Sequence, residues 1–214
     1  MRAMPPRRVL GLVIAMTLAT ISSAPRMAHA DGLTPSELSS LAHGETVTRP
    51  LTFEPNGQRF VGGVTYSILA ATPEELFALL DKADAYVEVL PRTKYAEKVS
   101  GPAPDLFIEL HQGNALIDAA YTVRIRKEPE KKRIRFWLEP SRPHAIDDAW
   151  GFFRYELLAS EDGQPRLLLT YGALVDVGPG MLRSLYEERL RYAMLAVPEN
   201  LRRYLLRLKA GPPT

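Results

Sequence analysis

Between Val64 and Ala173 the chain alternates apolar and polar residues in short runs, and from Leu182 to Leu208 it switches to steps of three and four. The two periods demand different structures. Alternation over successive short segments builds an antiparallel sheet with one buried face. Steps of three and four build a helix with one apolar stripe. Val64, Tyr66 and Ile68 open the sheet, alternating with Thr65 and Ser67. Tyr95 to Val99 is a short strand. Leu106, Ile108 and Leu110 follow, then Ile117, Ala119, Tyr121, Val123 and Ile125, then Ile134, Phe136 and Leu138. Gly151, Phe153, Tyr155 and Leu157 come next, and Leu167, Leu169, Tyr171 and Ala173 are last. The polar runs Glu128–Lys132 and Glu161–Pro165 are hairpin connections. Gly62 and Gly63 mark a bend or bulge in a curved sheet.

Helices flank this sheet. Thr34-Pro35-Ser36-Glu37 and Thr72-Pro73-Glu74-Glu75 share one signature. Each has Thr at the N-cap, Pro at the first helical position and Glu at the third, so two orphan backbone donors are satisfied. The first helix runs to about Ala42, and Gly44 stops it. The second covers Glu74 to Leu80, and a further turn covers Ala83 to Leu90, closed by Pro91. After Pro179-Gly180 comes a long helix. Its stripe is Leu182, Tyr186, Leu190, Ala193, Val197, Leu201, Leu205 and Leu208; Arg183, Glu187, Glu188, Arg191, Arg202 and Arg203 lie opposite. Pro198 lacks the N–H that would bond the Met194 carbonyl, so a kink or break is expected there. The order is therefore a strand, two short helices, about six more strands and a long helix, an α+β arrangement. A curved sheet wrapped on that helix buries every apolar face and tends to leave a cavity between them.

The first thirty residues read as a secretory signal. Arg2, Arg7 and Arg8 precede an apolar run from Val9 to Ile21, and Ala28-His29-Ala30 supplies the small-x-small cleavage pattern. That run is shorter than the roughly 20 residues a spanning helix needs. The pair Arg7-Arg8 leaves the twin-arginine route open beside the general one. Cleavage after Ala30 changes the charge. The whole chain has 27 Lys+Arg and 25 Asp+Glu. Four arginines and no acids lie in residues 1–30, which leaves a slightly acidic mature chain and no electrostatic case for nucleic acid. The chain has no Cys, so disulfides, thiolate metal sites and cysteine nucleophiles are excluded.

Chemical motifs are sparse. His43, His111 and His144 are isolated, and only His144 lies near acids, Asp147 and Asp148, in a turn-like stretch. A metal needs three or four converging ligands, so no metal is expected. No Gly-x-Ser-x-Gly or Ser-His-Asp spacing occurs, and no catalytic residue is assigned. Glu109, Asp118 and Glu156 fall on the polar side of their strands. The inward face carries Tyr66, Ile108, Tyr121, Phe136, Phe153, Tyr155 and Tyr171, facing Leu182, Tyr186 and Leu190 of the long helix. These ten residues pack a core or line a cavity. A buried Tyr hydroxyl needs a partner, which a ligand oxygen or a trapped water can provide. Arg189, Arg191, Arg202, Arg203, Arg207 and Lys209 form a basic group near the end. They serve as a solvated helix end, or Arg202, Arg203 and Arg207 touch a membrane surface transiently.

Several segments resemble the START-like superfamily, also called the SRPBCC, polyketide cyclase or helix-grip group. Ala71-Thr72-Pro73-Glu74-Glu75-Leu76-Phe77-Ala78-Leu79-Leu80-Asp81 resembles its entrance to the first helix, and Tyr86-Val87-Glu88-Val89-Leu90-Pro91 the segment after it. Gly151 to Leu157 is similar to its glycine-aromatic strand, and Thr170 to Gly178 to its last strand. Leu41-Ala42-His43-Gly44-Glu45-Thr46-Val47 is similar to the lead-in of exported bacterial members. The likeness covers about residues 45–208 and lies nearest the coenzyme-Q-binding group. It implies a helix-grip fold of about seven strands, with a signal peptide at 1–30, a helical lead-in at 31–45 and the START-like domain at 46–210. It also implies a hydrophobic ligand, such as a lipid or isoprenoid quinone, held between sheet and helix without a cofactor. An exported, periplasmic or extracellular carrier is the leading expectation. A cyclase- or hydrolase-type enzyme using the same cavity, or a ligand-free accessory protein of an envelope complex, are the alternatives.

Overall fold

A computed structural model describes residues 32–113, 118–161, 163–179 and 181–211. The signal-like segment 1–30 and Ile117 lie outside the described residues. The elements run α1 (Pro35–Ala42), β1 (Val47–Phe53), β2 (Phe60–Leu69), α2 (Pro73–Leu80), α3 (Ala83–Val89), β3 (Thr93–Val99), β4 (Leu106–Gly113) and β5 (Asp118–Glu128). A 3-10 turn (Pro129–Lys131) leads to β6 (Arg133–Leu138), β7 (Asp148–Glu161), β8 (Gln164–Asp176), α4 (Met181–Leu195) and α5 (Val197–Ala210). Both capping boxes form, Thr34 with Glu37 and Thr72 with Glu75.

All strand pairs are antiparallel, in the order β1-β2-β8-β7-β6-β5-β4-β3. The sheet has eight strands, one more than expected. The extra strand is β1. Its residues are mostly exposed and Pro50 interrupts it, so no buried alternation marks it although Val47, Thr48, Thr52 and Phe53 favour a strand. An edge position tolerates both properties. Gly62 and Gly63 keep an unbroken register with β1 and β8, so no bulge occurs there.

The long C-terminal helix is broken. α4 ends at Leu195, Ala196 forms a turn, and α5 resumes with Pro198 as its second residue. The Leu195 carbonyl at the break accepts a hydrogen bond from the buried Thr65 hydroxyl at 2.9 Å. Val197, Leu201 and Leu205 of α5 are buried in the main core with Leu69, Leu76, Leu79 and Leu110. Leu208, the last residue of the expected stripe, is exposed.

The opposite face of the sheet carries an ionic cluster. The buried Asp105 carboxylate accepts from Arg126 at 2.6 and 2.7 Å and from Arg124. Both guanidiniums also lie against the Trp137 ring, at 5.4 and 5.7 Å. The Arg126 hydrogen bonds hold the Asp105 carboxyl below its ordinary range. Its folded pKa is therefore the lower one. The contribution is complete above about pH 4, the unfolded value, and fades as pH falls through the folded value. Asp105→Asn is expected to cost about 2 kcal/mol at neutral pH, leaving two guanidiniums without their counter-charge. Urea unfolding checks this: the gap to wild type narrows progressively as pH falls below about 4, and equal stability at neutral pH would contradict the assignment.

Candidate functional site

A cavity of about 730 Å³ lies between the concave face of the sheet and the helices. Its floor follows from strand parity. Tyr171, Ala173 and Val175 of β8 face the same way as Phe153 and Ala149 of β7, Ile134 and Phe136 of β6, and Tyr121, Val123 and Ile125 of β5. Leu110 and Gln112 extend this face on β4. Leu79 and Leu80 of α2 and Tyr86 and Val89 of α3 close one side. Tyr186, Leu190, Ala193 and Met194 of α4, with Val197 of α5, close another. Among the lining residues Arg92, Asp118, Ala145, Pro179 and Arg189 are exposed, so they mark the mouth.

The interior is mostly hydrocarbon with a few fixed polar groups. The Tyr121 hydroxyl donates to Gln112 Oε1, and Gln112 Nε2 donates to Thr93 Oγ1 at 2.9 Å. The Tyr86 hydroxyl donates to the Leu80 carbonyl at 2.8 Å, tying α3 to α2. Tyr171 forms a triangle of rings with Phe153 and Phe136, whose centroids lie 4.9 and 6.0 Å from its own. Its hydroxyl makes no hydrogen bond among the described residues. Burial pushes the phenols of Tyr121, Tyr171 and Tyr86 up. All three stay protonated at neutral pH, and Tyr171 is a donor awaiting an acceptor.

Six residues of the expected set line this cavity together: Tyr121, Phe136, Phe153, Tyr171, Tyr186 and Leu190. Ile108 and Tyr155 have inward parity but do not reach it. Ile108 is enclosed in the core, and Tyr155 stacks edge-on against Phe77 of α2 at 5.8 Å. Tyr66 is a correction. Its neighbour Thr65 faces inward, so Tyr66 lies on the other side of β2. There Arg49 sits 5.4 Å over its ring and is ion-paired to Glu37 of α1 at 2.7 Å. Both faces of β2 are buried, so polarity did not reveal which is inward. Leu182 is in α4, and its side chain lies outside the described residues.

Sequence reasoning missed Gln112 and Arg92. Gln112 was readable, because it continues the inward series Leu106, Ile108, Leu110 as a polar residue. Arg92 follows Pro91 in a loop and has no periodicity to mark it. Among the other groups, His43, His111 and His144 bond Ser39, Glu109 and Ile146 respectively. No cluster of three or more His, Cys, Asp or Glu suited to a metal occurs among the described residues. Arg202 and Arg203 pair with Glu199 at 2.6 and 2.9 Å, and Arg207 pairs with Glu88 at 2.6 Å.

The sheet and helices make a helix-grip fold. Among solved structures, a STAR-related lipid transfer protein from Xanthomonas axonopodis superposes with a TM-score of 0.58 at 14% identity, covering 76% of this chain and 93% of its own. A Thermus thermophilus protein gives 0.52 at 14% identity, covering 70% and 98%. An aromatase/cyclase from a Streptomyces species gives 0.47 at 18% identity, covering 78% and 100%. No protein-family model matches the sequence, and no curated protein matches it.

Proposed function

We propose that this chain is a binding or carrier domain that holds a hydrophobic small molecule, a lipid or isoprenoid quinone, in the cavity between sheet and helices. The observation that carries this is the cavity itself. Its volume of about 730 Å³ falls within the roughly 300–1,000 Å³ of small-molecule sites. It is apolar, with few polar groups, and Tyr171 offers a donor to a ligand oxygen. The structural neighbour described as a lipid transfer protein agrees with this reading. The signal-like segment adds a setting: after cleavage behind Ala30 the domain works outside the cytoplasm, in the periplasm or beyond. Membrane contact through Arg202, Arg203 and Arg207 is part of the proposal, at the cost of their pairs with Glu199 and Glu88.

An enzyme of the cyclase or hydrolase kind needs a base or nucleophile in the same space. Behind the mouth the titratable groups include Tyr86, Tyr121 and Tyr171, held protonated, and Glu187, already paired with Arg59 and Arg191, a set that suits hydrogen bonding to a ligand better than proton abstraction. The third expectation, a ligand-free accessory protein, calls for apolar surface in place of a pocket. Native mass spectrometry of the protein purified from the cell envelope tests the carrier reading. A discrete added mass that solvent extraction removes is expected. An envelope-purified chain that is always empty, and that takes up no added lipid, would overturn it.

A further inference from the structure

The cavity is apolar inside, and two arginines of its lining lack ion-pair partners among the described residues. We propose that its ligand is a single-chain amphiphile with an anionic head, the tail in the cavity and the head held by Arg92 and Arg189. This rests on the carrier reading and deepens it by fixing the class of ligand.

Both arginines are exposed residues of the lining, Arg92 just after α3 and Arg189 on α4. Among the described residues neither has an ion-pair partner. The acids of the lining are already engaged. Asp118 pairs with Lys94 at 3.0 Å, and Glu187 with Arg59 at 2.8 Å and Arg191 at 3.0 Å. Asp147 stands beside Gly178 at the mouth but is not part of the lining. The lining acids are thus neutralised and the two arginines are not. Each arginine is also placed. The Arg189 guanidinium lies 5.9 Å from the centroid of the Tyr186 ring, itself a wall of the cavity. Arg92 has a φ of 60°, a left-handed conformation that is costly for a residue with a side chain. Planar guanidiniums present paired donors that match carboxylate and phosphate oxygens. An uncharged ligand leaves both unused, and a cationic head is repelled.

The test holds the tail constant and changes the head. Hexadecanoate, hexadecyl phosphate, hexadecanol and hexadecyltrimethylammonium are each titrated against protein loaded with the neutral fluorophore N-phenylnaphthylamine, below their micelle concentrations. The two anions are expected to displace the probe about tenfold more tightly than the alcohol, the usual scale of a charge-assisted contact at a half-exposed site. The cation should be weakest. Comparing the anions tells a fatty-acid source from a phosphate-headed lipid. Raising salt from about 0.05 M to about 0.5 M should shrink the anion preference and spare the alcohol. In the double variant Arg92→Gln/Arg189→Gln the ratio of anion to alcohol affinity should fall toward one. Equal affinity for all heads, or preference for the cation, overturns the proposal and leaves the apolar carrier reading standing. Failure of every compound to displace the probe overturns both. If the double variant does not fold, the wild-type series and its salt dependence decide alone.

Discussion

A chain carrying Ala149→Phe and Ala193→Trp is expected to bind N-phenylnaphthylamine or hexadecanol about 50-fold more weakly than wild type, while unfolding at the same or a higher denaturant concentration. Ala149 lies on the floor of the cavity in β7 and Ala193 on its roof in α4, and both are half-buried lining residues. Large side chains there project into empty space from opposite walls. Removing about 100 Å² of apolar contact from a ligand costs it about 2.5 kcal/mol at about 25 cal/mol per Å². That is close to two decades in affinity. The protein itself should gain, because added atoms fill a void instead of overpacking a filled core. Opposite signs for binding and stability are the signature. Fluorescence titration and urea unfolding of the same preparation read both. Wild-type binding in this variant would place the ligand elsewhere. Lost binding together with a collapse of stability would mean that the two alanines contact packed core.

This prediction depends on telling a cavity wall from a core, and sequence resolved only part of that. Among the described residues of β4 to β8 the alternation from Leu106 to Ala173 agrees with the strand parity that faces the cavity, although Leu157 at the end of the β7 series is exposed. The caps at Thr34 and Thr72 were equally plain, since side-chain chemistry within four residues decides them. Parity says which face a residue is on, however, and not how far along the strand the helices lift away. Ile108, Tyr155 and Tyr171 share one face. Only Tyr171 meets open space, because Phe77 covers Tyr155 and neighbouring core residues enclose Ile108. That distinction is set by where α2, α3 and α4 dock, which no local pattern encodes. β2 failed for another reason. With α1 and Arg49 on one side and α4 on the other, its residues are buried on both faces, and polarity no longer reports orientation. The mouth was least legible, since Arg92 owes its position to a loop conformation.

Among the described glycines, Gly62→Ala is expected to be the most damaging substitution by alanine. Gly62 lies in mid-strand with a φ of 154°, and a Cβ there would stand 1.9 Å from the Ala173 carbonyl oxygen of β8. The obstacle is a backbone atom held in the sheet, so no rotamer change relieves it. At Gly63 the same addition meets the Arg49 carbonyl oxygen of β1 at 2.3 Å. The pair therefore lets β2 lie closely against the backbone of both neighbours. Positive-φ strain alone costs about 1–3 kcal/mol. With the clash added, at least about 3 kcal/mol is expected, a fall in Tm of about 6–12 °C for a domain of this size. Gly57→Ala is the control. Gly57 has a φ of 83° but open space around its Cβ position, so it carries conformational strain without collision. It should cost about 1 kcal/mol. Thermal unfolding of the two variants side by side separates the contributions. A Gly62→Ala protein as stable as Gly57→Ala would mean that β2 does not lie closely against β8.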